Sequence, residues 1–222
     1  MIERPVPTVL TEPSDRFRPG AGPEPLPGDR RVPVTTLPAG ADDRLAALGL
    51  STRVLLTAAA AAGRGHDQDS PFDPPIMPGL RRWAAVVRTL RSQLVPLGWR
   101  QDNPSNLPRT LHPDGSFAVV VTTGDDHTGV PWAPPGTRHL KGTATRLAIE
   151  PNAQLAFDLG DHLLPAATDE LPLVLTGTQT WFLLFHPAGP VVRSELSFPQ
   201  AISRGRMLQW AERIILPEVV LG

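Results

Sequence analysis

Thr180-Trp181-Phe182-Leu183-Leu184-Phe185-His186, Pro187-Ala188-Gly189-Pro190 and Val191-Val192-Arg193-Ser194-Glu195-Leu196-Ser197-Phe198 form the stretch that decides the fold. Two runs rich in apolar, aromatic and β-branched residues flank a Pro/Gly turn, which is the pattern of a β-hairpin. The first run is apolar on both faces. The second alternates, with Val192, Leu196 and Phe198 toward one side and Arg193, Glu195 and Ser197 toward the other, and so predicts one face in contact with water. Upstream, Ser116–Thr123 is again apolar on both faces and follows the turn signal Asp114-Gly115. It predicts a central strand of a covered sheet.

Helical spacing flanks these strands. Leu80, Trp83, Val87, Leu90 and Leu94 recur at intervals of three and four before Pro96 and Gly98, an amphipathic helix with its stop signals. Met207, Leu208, Trp210, Ala211, Ile214 and Ile215 repeat the pattern before Pro217 and predict a C-terminal helix. Segment 144–159 reads equally as helix or strand, because Pro151 cuts either pattern. The expected fold is α+β, an antiparallel sheet of about four strands bracketed by an N-terminal amphipathic helix and a C-terminal helix, within residues 79–222.

Ahead of that domain, residues 1–40 hold nine prolines and one aromatic, Phe17, the composition of a disordered arm. Residues 41–63 read as a short helical hairpin, split where Gly49 ends one helix and Ser51 caps the next, and 64–78 as a linker. A DNA-reading hairpin needs polar side chains that reach base edges. Here Arg53 is followed by Val54, Leu55, Leu56, Thr57 and five alanines, so the hairpin is expected to pack on the main domain.

Charge is balanced, 21 basic against 22 acidic residues, which leaves no global field to draw the chain onto nucleic acid or an anionic membrane. Lys141 is the sole lysine, a bias read as the mark of a GC-rich genome. The absence of cysteine excludes disulfides, a thiol nucleophile and thiolate zinc sites, and fits the reducing cytoplasm. No apolar leader follows Met1, and no run approaches the ~18 apolar residues of a membrane span, so neither export nor membrane insertion is expected.

Enzyme motifs are sparse. Neither G-x-x-x-x-G-K-[ST] nor G-x-G-x-x-G occurs, Lys141-Gly142-Thr143 has lysine and glycine in the wrong order, and no G-x-S-x-G elbow is present. No catalytic residue and no cofactor is assigned. Asp125-Asp126-His127 and His139, in the Gly/Pro-rich segment 124–142, are hard-metal ligand types, but no spacing fixes two of them on one surface, so no metal site is assigned either. Pro113-Asp114 and Glu195, with a helix before the strands, resemble the metal-dependent nucleases of the PD-(D/E)xK type. That resemblance implies Asp114 and Glu195 as the two acids, and Ser197 stands where the family has lysine. A metal-dependent hydrolase using Asp114, Asp125, Asp126, His127 and Glu195 is the alternative reading.

Two features point instead to binding. Arg81, Arg88 and Arg91 share one side of the amphipathic helix, with no acid between Asp73 and Asp102, which suits phosphates or an acidic partner. Gln154-Leu155-Ala156-Phe157-Asp158-Leu159 resembles the hexapeptide by which bacterial polymerases and repair proteins dock on the sliding clamp. The resemblance implies Gln154 in a polar subsite and Leu155, Phe157 and Leu159 as apolar anchors. Trp83, Trp181 and Trp210 fall on apolar faces, whereas proline-flanked Trp132 is expected at the surface. Together these give a non-enzymatic binding or adaptor protein, accessory to DNA replication or repair, with the sliding clamp as protein partner and nucleic acid as a further contact.

Overall fold

The computed structural model describes residues 34–66, 69–161, 177–203 and 205–221. Its middle is β4 (Phe117–Thr123) and β5 (Gln179–Ala188), which pair in parallel with Val120 opposite Phe182. Both strands are apolar at successive positions, and both are covered on each face. From β5 the chain turns back into β6 (Val191–Ser203) and again into β7 (Arg206–Ile215), and β1 (Val34–Thr36) runs parallel to β7 at that edge. On the other side β3 (Arg109–Leu111) pairs antiparallel with β4, and β2 (Arg100–Asp102) with β3. The order is β1-β7-β6-β5-β4-β3-β2, and β8 (Val219–Val220) pairs with the start of β6 to complete eight strands.

This corrects the expected antiparallel sheet of about four strands bracketed by terminal helices. The sheet is mixed, because β4–β5 and β1–β7 are parallel pairs. Parallel neighbours need a crossover much longer than a hairpin turn. The connection from β4 to β5 supplies it and carries α4 (Thr143–Asp161), with Pro151 inside the helix rather than ending it. Asn152 holds the helix in place. Its buried amide accepts from the Thr180 N–H at 2.8 Å and donates to Thr180 O at 2.8 Å and Pro199 O at 3.0 Å.

The C-terminal segment is the strand β7, not a helix. In its ladder Trp210 lies opposite Pro199 while Glu212 lies opposite Phe198, so Ala211 is skipped, and Leu208 is skipped in the same way. Such bulges break the two-residue period of a strand. Met207 and Trp210, three apart, therefore reach one apolar cluster, and Ile214 reaches the opposite one. A bulged strand reproduces the step of a helix in sequence.

Three helices cover one face: α1 (Ala41–Ala46), α2 (Thr52–His66) and α3 (Met77–Leu94). Gly49, at φ +64°, closes α1, with Leu50 N–H donating to Leu45 O at 2.9 Å and Gly49 N–H to Ala46 O at 3.0 Å. Leu45, Leu55, Val86, Leu90 and Leu94 pack here against Val119, Val121, Leu183, Phe185, Leu196 and Ile214. The other face is covered by α4 and segment 124–142, with Ile149, Val120, Phe182, Leu184, Met207 and Trp210 as its smaller core. No helix among the described residues is long and apolar enough to cross a membrane.

On the polar side of β6 Arg193 is half-buried, and the two residues beyond it do not meet water. Glu195 and Ser197 are fully buried, and Glu195 forms a bidentate pair with Arg213 of β7 at 2.6 and 3.0 Å. Arg213 also donates to Val130 O and Ala133 O, each at 3.0 Å, while Gly129 N–H donates to Glu195 at 2.8 Å. The pair thus fastens segment 129–133 across the sheet.

Candidate functional site

Strand β4 outruns its neighbour. Its last residue paired with β3 is Val120, opposite Arg109, while Val121, Thr122 and Thr123 continue alongside β5 alone. The vacated edge is framed by the start of α3, by residues 106–108 and by residues 138–145. Trp83 donates its ring N–H to Val121 O, and Arg138 its backbone N–H to Thr123 O, each at 3.1 Å. These elements enclose a cavity of about 480 Å³. Asn106 lies on its rim, and Ser105 and Asn106 both hold left-handed backbone, at φ +48° and +61°. Two such residues in succession that are not glycine are strained, a feature that clusters at ligand sites.

The lining divides by chemistry. Ile76, Leu80, Trp83, Leu107, Val121 and Phe182 form an apolar wall, and Arg82, Arg138 and Lys141 bring cationic groups beside the imidazole of His139, with no carboxylate among the lining residues. Arg82 is tied to Asp69 at 2.9 Å. Among the described residues, Arg138 and Lys141 have no carboxylate partner.

Lys141 is the deeper of these two. Its ammonium donates to the hydroxyl of Thr122, itself almost wholly buried in β4. Burial pushes the Lys141 ammonium down to about 8, since a poorly hydrated site disfavours the charged form. The backbone there is pinned from β7's side of the sheet. Lys141 N–H donates to Gly205 O at 2.8 Å, and a Cβ on Gly205, whose φ is +75°, would sit 3.1 Å from Lys141 O.

The residues expected to act lie elsewhere, and only some of them meet. The side chains of Gln154, Leu155, Phe157 and Leu159 fall outside the described residues. Their backbone belongs to α4, whereas clamp docking takes an extended peptide. Arg81 is held by both oxygens of Asp73, and Arg91 staples α3 to the sheet edge by donating to Asp102 O, Asn103 Oδ1 and Arg109 O. Of the three arginines, Arg88 alone has no polar partner among the described residues; it lines a shallow groove beside α3.

Asp125, Asp126 and His127 do cluster, with one ligand atom from each lying within 4.8 Å of the others. Asp125 already accepts from His127 N–H at 3.1 Å, within its own turn, and from Gly136 N–H at 2.8 Å, across the segment. Glu195 is sealed in its pair with Arg213. Asp114 sits in the turn before β4, bonded to His112 at 2.6 Å and to both the hydroxyl and N–H of Ser116, at 2.6 and 2.8 Å. These bonds hold its carboxyl well below the usual carboxylate range. Seven residues of β4 separate it from Asp125, a span of about 20 Å.

Sequence reasoning passed over Lys141 and Arg138. The signal for Lys141 was present, one lysine against twenty arginines, and was read as composition. The chain matches no family model, no curated protein and no solved structure, so the reading of the site rests on its own geometry.

Proposed function

We propose that this chain is a non-enzymatic binding protein whose ligand is a small organic anion with an apolar body, an aromatic or branched aliphatic carboxylate, seated beside the free end of β4. The observation that supports it is a cavity of about 480 Å³ with an apolar wall and two cations that lack carboxylate partners among the described residues. Ligand cavities run from about 300 to 1,000 Å³ and combine apolar walls with a few polar groups that set orientation. A half-buried ammonium without a counter-charge is unfavourable, and an incoming carboxylate would relieve that cost. Arg138, exposed at the mouth, offers a planar fork for the carboxylate, and the apolar body would lie against Trp83 and Phe182.

Calorimetric titration with para-toluate and isovalerate, and with acetate and inorganic phosphate as comparisons, tests this. The apolar acids should bind in the micromolar to millimolar range, with proton uptake above pH 8, and Lys141→Met with Arg138→Gln should weaken them at least ~10-fold. Absence of binding by every member of the series, or equal binding by the double variant, refutes the reading.

Docking of 154–159 on a sliding clamp draws its support from sequence similarity, and it asks the end of α4 to unwind. Contact with nucleic acid draws on Arg88. A cytoplasmic setting belongs to the same proposal and rests on the cysteine-free composition.

A further inference from the structure

Building on the anion-binding reading, we infer that Lys141 is a carbonyl-capturing amine, and that the ligand is an aldehyde or keto acid which it holds as a reversible imine. The side chain carries the geometry for this. One N–H is committed to the Thr122 hydroxyl, no carboxylate among the described residues pairs with the nitrogen, and the cavity opens in front of it. Arg138 at the mouth can hold the ligand carboxylate while the carbonyl carbon reaches the nitrogen.

The step balances without a further reagent. The Nζ lone pair attacks the carbonyl carbon, and the C=O electron pair moves to oxygen, which takes a proton. The nitrogen gives up a proton, the carbinolamine hydroxyl is protonated and leaves as water, the C=N bond forms, and the nitrogen gives up its second proton to leave the imine. Thr122 and His139, both on the cavity wall, are the groups placed to relay these protons. Among the described residues, the charged and titratable groups that share the cavity with Lys141 are Arg82 of α3 and Arg138 and His139 of the preceding segment, and none is acidic. Poor hydration favours the neutral amine. With the ammonium at about 8 rather than 10.5, the free-amine fraction at pH 7 is roughly 300-fold that of an ordinary lysine.

A sole lysine makes the test unambiguous, because any lysine adduct reports this one site. The full chain is incubated with para-carboxybenzaldehyde and cyanoborohydride, and the adduct is located by peptide mapping, with the chain's α-amino group as internal standard. Lys141 should label at least ~10-fold faster than in the urea-unfolded chain at pH 7, with a rate that climbs to a plateau above pH 8, and para-toluate should slow it. Labelling of Lys141 no faster than in the unfolded chain overturns the inference. If para-toluate still binds in that case, the anion site stands and the imine falls. If para-toluate neither binds nor protects, the anion-binding reading falls with it.

Discussion

Replacing Lys141 by methionine should stabilise the protein below pH 8, although it deletes a hydrogen bond. The folded ammonium titrates at about 8 against an ordinary 10.5. Because the folded value is depressed, the unfolded chain binds more protons between those limits, and wild-type stability rises with pH across that window. Below pH 8 the penalty is present in full. A shift of this size corresponds to at most about 3 kcal/mol at ~1.4 kcal/mol per unit. Partial exposure and surrounding water reduce it to roughly 2 kcal/mol. Methionine keeps the length of the apolar stem. It forfeits the bond to Thr122, about 1 kcal/mol, which leaves a net gain of about 1 kcal/mol at pH 7 and a Tm raised by about 2–4 °C. Urea unfolding followed by tryptophan fluorescence from pH 6.5 to 10.5 reads the difference. It should shrink and change sign as the pH approaches 10.5, where the folded-state lysine is neutral and the unfolded-state lysine is already half deprotonated. A difference that does not vary with pH, or a variant less stable at pH 7, would refute the reasoning.

The other predictions concern what holds the site. Glu195→Gln or Arg213→Met alone should cost about 3–5 kcal/mol in chemical denaturation, since each strands a buried charge, while the double change should cost much less than the sum. If the single changes cost under about 1 kcal/mol, the pair is hydrated and does not fasten segment 129–133. Gly205→Ala should lose about 1–2 kcal/mol and weaken para-toluate binding, because its new methyl meets the backbone of Lys141; unchanged binding would separate Gly205 from the site. Asn152→Ala should cost about 2–4 kcal/mol by leaving three buried backbone groups of β5 and β6 unpaired, to be measured by thermal unfolding.

Much of the central architecture was legible because it follows from local rules. Within Ser116–Thr123 the run from Phe117 to Val121 is apolar at every position, and the strand it forms is covered on both faces. The 180–198 hairpin follows from two apolar runs and a Pro/Gly turn. Parallel pairing was not legible, since nothing local says which earlier strand a new one will join, and Pro151 disguised the crossover helix. At the C-terminus, the skipped Ala211 and Leu208 gave a strand the spacing of a helix. Ser197 and Glu195 read as a wetted face because their cover, anchored by Arg213, comes from residues more than sixty positions earlier in the chain. The cavity was hidden for a related reason. It exists because β3 starts at Arg109 and pairs no further along β4 than Val120, a matter of register between strands that no single segment encodes. Lys141 was visible only as a compositional oddity.

That strand overhang gives the cavity a dimension that can change independently of the rest of the molecule. Each residue added to or trimmed from the start of β3 covers or bares about 3.3 Å of β4. The helices, the parallel pair and the Glu195–Arg213 clamp would not have to repack. A lineage carrying this fold can therefore lengthen or shorten the cavity through single-residue insertions or deletions at Leu107–Pro108, in a segment already outside regular structure, while Lys141 stays fixed to its glycine at the opposite wall. The length of the cavity and the chemistry of its wall are set by separate parts of the chain.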